Sequence, residues 1–153
     1  MTSGLSLAAE QLLQAVPFAR KLGIEFLELT KSDVDVRAVA RLPDSTDHHN
    51  HVGGPHAGAL FTLGETASGA VVIGAFAAQL GRAVPLTVRA EIVYQKLAMG
   101  AVRAAARLGR PAQEVIAELD AGGRPEFPVH VEITTDDGRP AAELTVVWTL
   151  RPN

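Results

Sequence analysis

Between His48 and Gly81 the chain carries one formal charge, Glu65. On a helix its neighbours are Phe61, Thr62, Ser68 and Gly69, so no lysine or arginine lies one turn away to pair with it. An unpaired carboxylate in apolar surroundings either costs several kcal/mol or keeps its proton to a higher pH. Two readings stay open at this point. Glu65 reaches a polar edge or a distant arginine, or it is a working acid–base group, because perturbed acids gather at functional sites. The residues before it favour chemistry at a carbonyl. Gly53, Gly54 and Pro55 bend the chain tightly, and Ala57 and Gly58 fall in the first turn of the helix that follows. Amides in a first turn have no partner within the helix and sit at its positive end. Side chains this small let a ligand oxygen come close to them. Glu65 lies further along, roughly 12 Å from Ala57 on the axis at ~1.5 Å rise per residue, and a long side chain leans back toward the N-terminus. A substrate crossing this helix can rest a carbonyl oxygen on the amides while the carboxylate, directly or through a water, faces the carbonyl carbon.

Other residues invite other chemistry. The run DHHNH at 47–51 sets three histidines beside an aspartate. His48 and His49 are adjacent and point apart in an extended loop, and no second ligand cluster accompanies them, so no metal is expected there. Ser68 lies near the Glu65 face without the glycine-flanked elbow of a serine nucleophile; helix packing or substrate contact is expected of it. His130 alternates outward on a strand. Tyr94 and Trp148 fall on apolar strand faces and are expected in the core.

These residues need a scaffold to hold them. Leu5, Leu12, Leu13, Val16 and Phe18 form a helical stripe that Pro17 ends or kinks near Val16. Residues 24–30 and 34–42 read as strands joined by a turn at TKSD, and 43–55 as a polar loop. A long helix follows over 56–80, stopped by Gly81. In 86–94, Leu86, Val88, Ala90, Ile92 and Tyr94 share one face of a strand, and 101–109 repeats the alternation. Pro111 opens and Gly122 closes a short helix over 112–121. A strand from Phe127 to Ile133 turns at DDGR into another bearing Leu144, Val146, Trp148 and Leu150. The long helix is apolar around most of its circumference and rich in alanine and glycine. It must therefore be buried, with a sheet approaching it closely on several sides. This order predicts an α+β fold, one antiparallel sheet curled around a central helix.

Composition narrows the classes of function. The 153 residues suit a single domain over 1–153, and 47% hydrophobic with 20% charged residues make it globular. The net charge is −3 and no Lys/Arg cluster appears, which argues against nucleic acid as partner. The absence of cysteine excludes disulfides, thiolate metal sites and cysteine nucleophiles. The one membrane-like stretch, 57–80, is broken by Glu65 and by glycines at 58, 64, 69 and 74, so no membrane span is expected. The first residues lack a signal-peptide pattern, and a cytoplasmic location is expected.

The run NHVGGPHAGALFTLGE at 50–65 resembles the signature of hotdog-fold thioesterases. In the phenylacetic-acid-pathway (PaaI-like) branch an Asn is followed six positions on by His and a further nine by an acid, and Asn50, His56 and Glu65 keep that spacing. The order of elements agrees over nearly the whole chain. The wording HAGALFTLGE and the short helix at 112–121 are most similar to an uncharacterised (DUF4442-like) subgroup. Two positions depart from the branch: Ala57 replaces the first of a glycine pair, where only a backbone N–H is needed, and Glu65 replaces Asp. The resemblance implies a hotdog domain that hydrolyses an acyl-CoA-type thioester with no metal or redox cofactor. It assigns Glu65 as general base on water, or as nucleophile through an anhydride, and the N–H of Ala57 or Gly58 as oxyanion donor. It has Asn50 orient the water or the carboxylate, and His56 cap the helix and shape the site. Gly54, Thr62 and Ser68 become substrate-binding candidates. It also implies a homodimer with the site in the groove between subunits, and a homotetramer as dimer of dimers. Arg82, Arg89 and Arg103 are candidates to meet the CoA phosphates. Hotdog dehydratases pair His and Glu at the spacing of His51 and Glu65, but Ala59 and Leu60 stand where they carry Pro-Gly. Dehydration of a 3-hydroxyacyl thioester therefore ranks behind hydrolysis, and a non-catalytic acyl-CoA-binding protein is the alternative of another class.

Overall fold

The computed structural model describes Leu7, Glu10, Gln11 and residues 14–153. Leu5, Leu12 and Leu13 of the expected first stripe lie outside the described residues. Pro17 opens a helix, Pro17–Lys21, at the position where a missing N–H breaks no bond. That helix buries Ala19, while Val16 and Phe18, assigned to an apolar stripe, are exposed.

Six strands follow: β1 Glu25–Lys31, β2 Val36–Leu42, β3 Ala83–Tyr94, β4 Val102–Leu108, β5 Glu126–Thr135 and β6 Pro140–Pro152. All neighbouring pairs are antiparallel, in the order β1-β2-β4-β5-β6-β3. Alternation sorts their side chains as expected. Ala38, Ala40, Ala104, Ala106, Val131 and Leu144 point inward and are buried, while Arg37, Arg107, Glu132 and Glu143 point outward. Alanines opposite one another on β2 and β4 leave space for the helix that the sheet encloses.

That central helix runs over Ala57–Phe76 and tightens into a 3₁₀ turn at Ala77–Gln79. The stretch Ala57–Gln79 is long and apolar enough to cross a membrane, but here most of it is covered by the sheet. Its small residues have the packing role expected of them. A Cβ at Gly64 would collide with Leu144, and one at Gly74 would lie 3.0 Å from a Leu29 methyl. Phe76 meets Phe127 with ring centroids 4.9 Å apart, which closes the far end of the core.

One alternation is broken. The register of β3 on β6 shifts between Thr87 and Arg89, so Val88 forms a bulge. Thr87, rather than Leu86, faces Trp148, and Val88 is exposed. Leu86 and Val88 therefore do not share a face with Ala90 and Ile92. An inserted residue reverses the parity of everything on one side of it.

Candidate functional site

The loop before the central helix is locked by one side chain. Asn50 Oδ1 accepts hydrogen bonds from the N–H of Val52 (3.0 Å) and of Gly54 (3.1 Å), and Asn50 Nδ2 donates to the Pro55 carbonyl (3.3 Å). The Asn50 N–H also donates to the Gly54 carbonyl at 2.8 Å. Gly53 supplies the positive φ of 82° that closes this turn. The Asn50 side chain, a candidate to orient water or carboxylate, thus shapes the loop through both ends of its amide.

Gly54 is held on two sides within the chain. It is buried, and a Cβ there would collide with the Ala98 carbonyl, so glycine is required by the close passage of the 95–100 loop. His56 ends the loop by donating its N–H to the His48 carbonyl at 2.7 Å. It then caps the helix, its Nδ1 accepting from the Gly58 N–H at 2.8 Å. Nδ1 as acceptor places the ring proton on Nε2. The cap also divides the two expected oxyanion donors. The Gly58 amide is engaged, whereas the Ala57 N–H donates to nothing among the described residues.

The helix is open along a single stripe. Ala57 and Gly58 are exposed, and Phe61, Thr62, Glu65, Gly69 and Ile73 are partly exposed, while the other residues of Ala59–Phe76 are buried. Glu65 is the one charge on this stripe. Its carboxylate forms no salt bridge and no hydrogen bond among the described residues, and burial pushes its pKa above the ordinary carboxylate value. Thr62 shares the stripe but donates its hydroxyl to the Gly58 carbonyl at 2.9 Å. Ser68 faces the other way. It is fully buried, donates to the Glu65 carbonyl at 2.7 Å and accepts from Trp148 Nε1 at 3.0 Å. Ser68 therefore has a packing role, with its hydroxyl engaged within the core, and Trp148 lies in the core as expected.

Tyr94 does not. It is 47% exposed at the end of β3, and its hydroxyl donates to the Ala57 carbonyl at 2.9 Å. That bond ties the last residue of β3 to the first turn of the helix. Nothing local in the sequence signals it, because the partners lie 37 residues apart. Loop 95–100 continues this region, with Leu97 and Met99 exposed and Met99 packed beside Gly54.

The remaining candidates separate. Arg82 pairs with Asp120 (2.6 Å), Arg89 with Glu126 (3.4 Å) and Arg103 with Asp136 (3.2 Å), so each already holds a carboxylate. In the histidine run, His49 Nε2 meets Asp44 at 2.7 Å, and His48 Nδ1 is buried without a partner among the described residues. Among the described residues no three histidine or acidic side chains gather as a metal site would require. A hollow of about 780 Å³ lies between the β1–β2 turn and the short helix Ala112–Asp120, and Glu65 is not part of its lining.

The DUF4442 family, a domain of unknown function, matches residues 4–150. Among solved structures the chain aligns with PA5026 of Pseudomonas aeruginosa, a protein of unknown function called a probable thioesterase. Identity is 27%, over 96% of this chain and 95% of that one, with a TM-score of 0.81. It also aligns with a thioesterase family protein of Silicibacter pomeroyi at 19% identity, over 97% and 99% of the two chains, TM-score 0.74. The PaaI protein of the E. coli phenylacetic acid degradation operon matches at 14% identity, over 100% and 97%, TM-score 0.71. A search of curated proteins returns no match. The fold is a hotdog, as the family resemblance of residues 50–65 and of the element order implied.

Proposed function

This chain belongs to the DUF4442 family, and we propose that it is a thioester hydrolase acting on acyl-CoA-type substrates as a single hotdog domain. The observation that carries this reading is the carboxylate of Glu65. It lies half-buried on the open stripe of the central helix, without a partner among the described residues and two turns from an Ala57 amide likewise unengaged among them. The names of the aligned structures, thioesterases among them, agree with it.

The thioester carbonyl oxygen takes the Ala57 N–H. Glu65 removes a proton from a water as that water attacks the carbonyl carbon, and the tetrahedral oxyanion is held by the same amide at the positive end of the helix. The C–S bond then breaks. The thiolate leaves and takes up the proton that Glu65 holds. A carboxylate with a raised pKa is the stronger base, which suits this step better than nucleophilic attack through an anhydride. His56 and Asn50 act at one remove, holding the loop and the first turn in place.

The site is completed by a second copy. β3 is an edge strand twelve residues long, with Val88, Val93 and Tyr94 exposed along it and Leu97 and Met99 just beyond. An unpaired edge with this much apolar surface is a pairing surface. A partner docked there walls off the open stripe and forms a groove over Glu65. Lys96, which follows this edge and forms no ion pair among the described residues, is our candidate to meet a substrate phosphate.

A thiol-release assay over short, medium, long and aromatic acyl-CoAs tests the reading, with Glu65→Gln run alongside. Turnover of at least one class by the wild type and its loss in the variant are expected. Equal background for both proteins across the panel refutes it.

A further inference from the structure

We propose that Tyr94 is a positioning residue for the reaction at Glu65: its hydroxyl and the His56 ring clamp the two ends of the peptide unit that joins Ala57 to Gly58, and so keep the Ala57 amide aimed at the substrate carbonyl. This inference rests on the hydrolase reading and adds to it a residue from another element of the fold.

The carbonyl of Ala57 and the N–H of Gly58 belong to one planar peptide unit. The carbonyl accepts from the Tyr94 hydroxyl at 2.9 Å, and the N–H donates to His56 Nδ1 at 2.8 Å. One rigid plane is thus gripped at both ends by side chains, and bonds in series along such a plane polarise one another. The grip falls where a helix needs it. First-turn amides lack partners within the helix, and helix ends fray. The Ala57 N–H lies one α-carbon before the clamped plane, so a fixed plane leaves it little freedom to swing.

Tyr94 acts from a fixed base. It is the last residue of β3 and stands opposite Ala142 on β6. The next two amides, of Gln95 and Lys96, both donate to the Ala141 carbonyl, at 2.8 and 3.2 Å. The chain then brings the Ala98 carbonyl and Met99 close to Gly54, in the loop that leads into the helix. Among the described residues no other hydrogen bond joins β3 to the central helix. Burial pushes the Tyr94 phenol above its ordinary pKa, so the hydroxyl keeps the proton that it donates. A phenylalanine would cover the same apolar surface; the bond to Ala57 is what requires tyrosine here.

The test compares wild type, Tyr94→Phe, His56→Ala and the double variant on the acyl-CoA that the wild type turns over fastest, with hydrogen exchange of the Gly58 amide followed by NMR. Tyr94→Phe keeps the ring and loses only the bond. An oxyanion donor acts mainly in the transition state, and removing one costs ~10²–10³-fold in kcat. A donor that is loosened but kept should cost about tenfold in kcat, with KM within about twofold of wild type. Exchange at Gly58 should quicken by more than exchange in β4, because the opening is local. The double variant should be barely slower than the slower single one, since one free end already releases the plane. A bond that only stabilised the fold would lower the melting temperature and leave kcat per folded molecule unchanged. Wild-type kcat or wild-type Gly58 exchange in Tyr94→Phe overturns the proposal and leaves the hydrolase reading standing, as do strictly additive losses in the double variant. No turnover by the wild type on any acyl-CoA refutes that reading and the positioning role with it.

Discussion

Glu65 and Ser68 stand three residues apart on one helix, and they show two ways of placing a polar group in an apolar element. Ser68 is fully buried and fully satisfied: its hydroxyl donates to the Glu65 carbonyl and accepts from the Trp148 indole. Glu65 is only half-buried, yet its carboxylate has no partner among the described residues and its pKa rises in consequence. A polar side chain kept for stability normally arrives with its hydrogen bonds, because leaving it without them is costly. Glu65 bears that cost on the only open stripe of the helix. The difference separates a packing role from a chemical one.

Substitutions at the two positions should therefore fail in opposite ways. The largest effect is expected from Glu65→Gln, which keeps the shape and removes the base. Turnover in the thiol-release assay should fall by ~10²–10⁴-fold, while the thermal midpoint stays level or rises as a desolvated charge is lost. Ser68→Ala should do the reverse. It leaves the Trp148 N–H buried without an acceptor and should lower stability by about 1–3 kcal/mol in urea unfolding, with turnover per folded molecule nearly unchanged. His56→Ala lies between them. Loss of the cap should cost about 0.5–2 kcal/mol of stability, and the rate should fall less than in the Glu65 variant, because the Ala57 amide survives.

The smallest effect sharpens the comparison through pH. The base must be ionised, so kcat/KM should fall as pH drops through the raised pKa of Glu65, placing the acid limb above the ordinary carboxylate range. Stability should run the other way. Between the ordinary and the raised pKa the folded state holds a proton that the unfolded state has lost. Wild type should therefore lose stability relative to Glu65→Gln as pH rises through that window. Parallel stability–pH curves for the two proteins would show that Glu65 is not desolvated.

Glu65 was legible in the sequence because its isolation is local: no base stands within a turn of it. The fold was legible for a related reason, since alternation in 101–109 and 127–133 and the alanine-rich helix are properties of short windows. What escaped depends on distant partners. The contacts of Ser68 and Gly54 with Trp148 and Ala98, 80 and 44 residues away, could not be read from their own windows. Tyr94 looked like core until its hydroxyl reached Ala57. The bulge at Val88 left no mark in the apolar alternation of 86–94, because Leu86 reads as inward on either parity. Asn50 kept the family spacing, but its amide is occupied within five residues of itself.

The strand order has a consequence for biosynthesis. β6 lies between β5 and β3, although β3 precedes both in the chain. On the ribosome, β3 emerges with neither edge paired and waits while residues 95–139 are made, several seconds at roughly 5–20 residues per second. The central helix, already complete, has only β1 and β2 to cover it when that interval begins, and gains β4 and β5 as they emerge. A nascent chain so exposed should depend on holdase chaperones until Pro140–Pro152 slots into the gap, and slow codons just upstream of residue 140 should reduce its soluble yield.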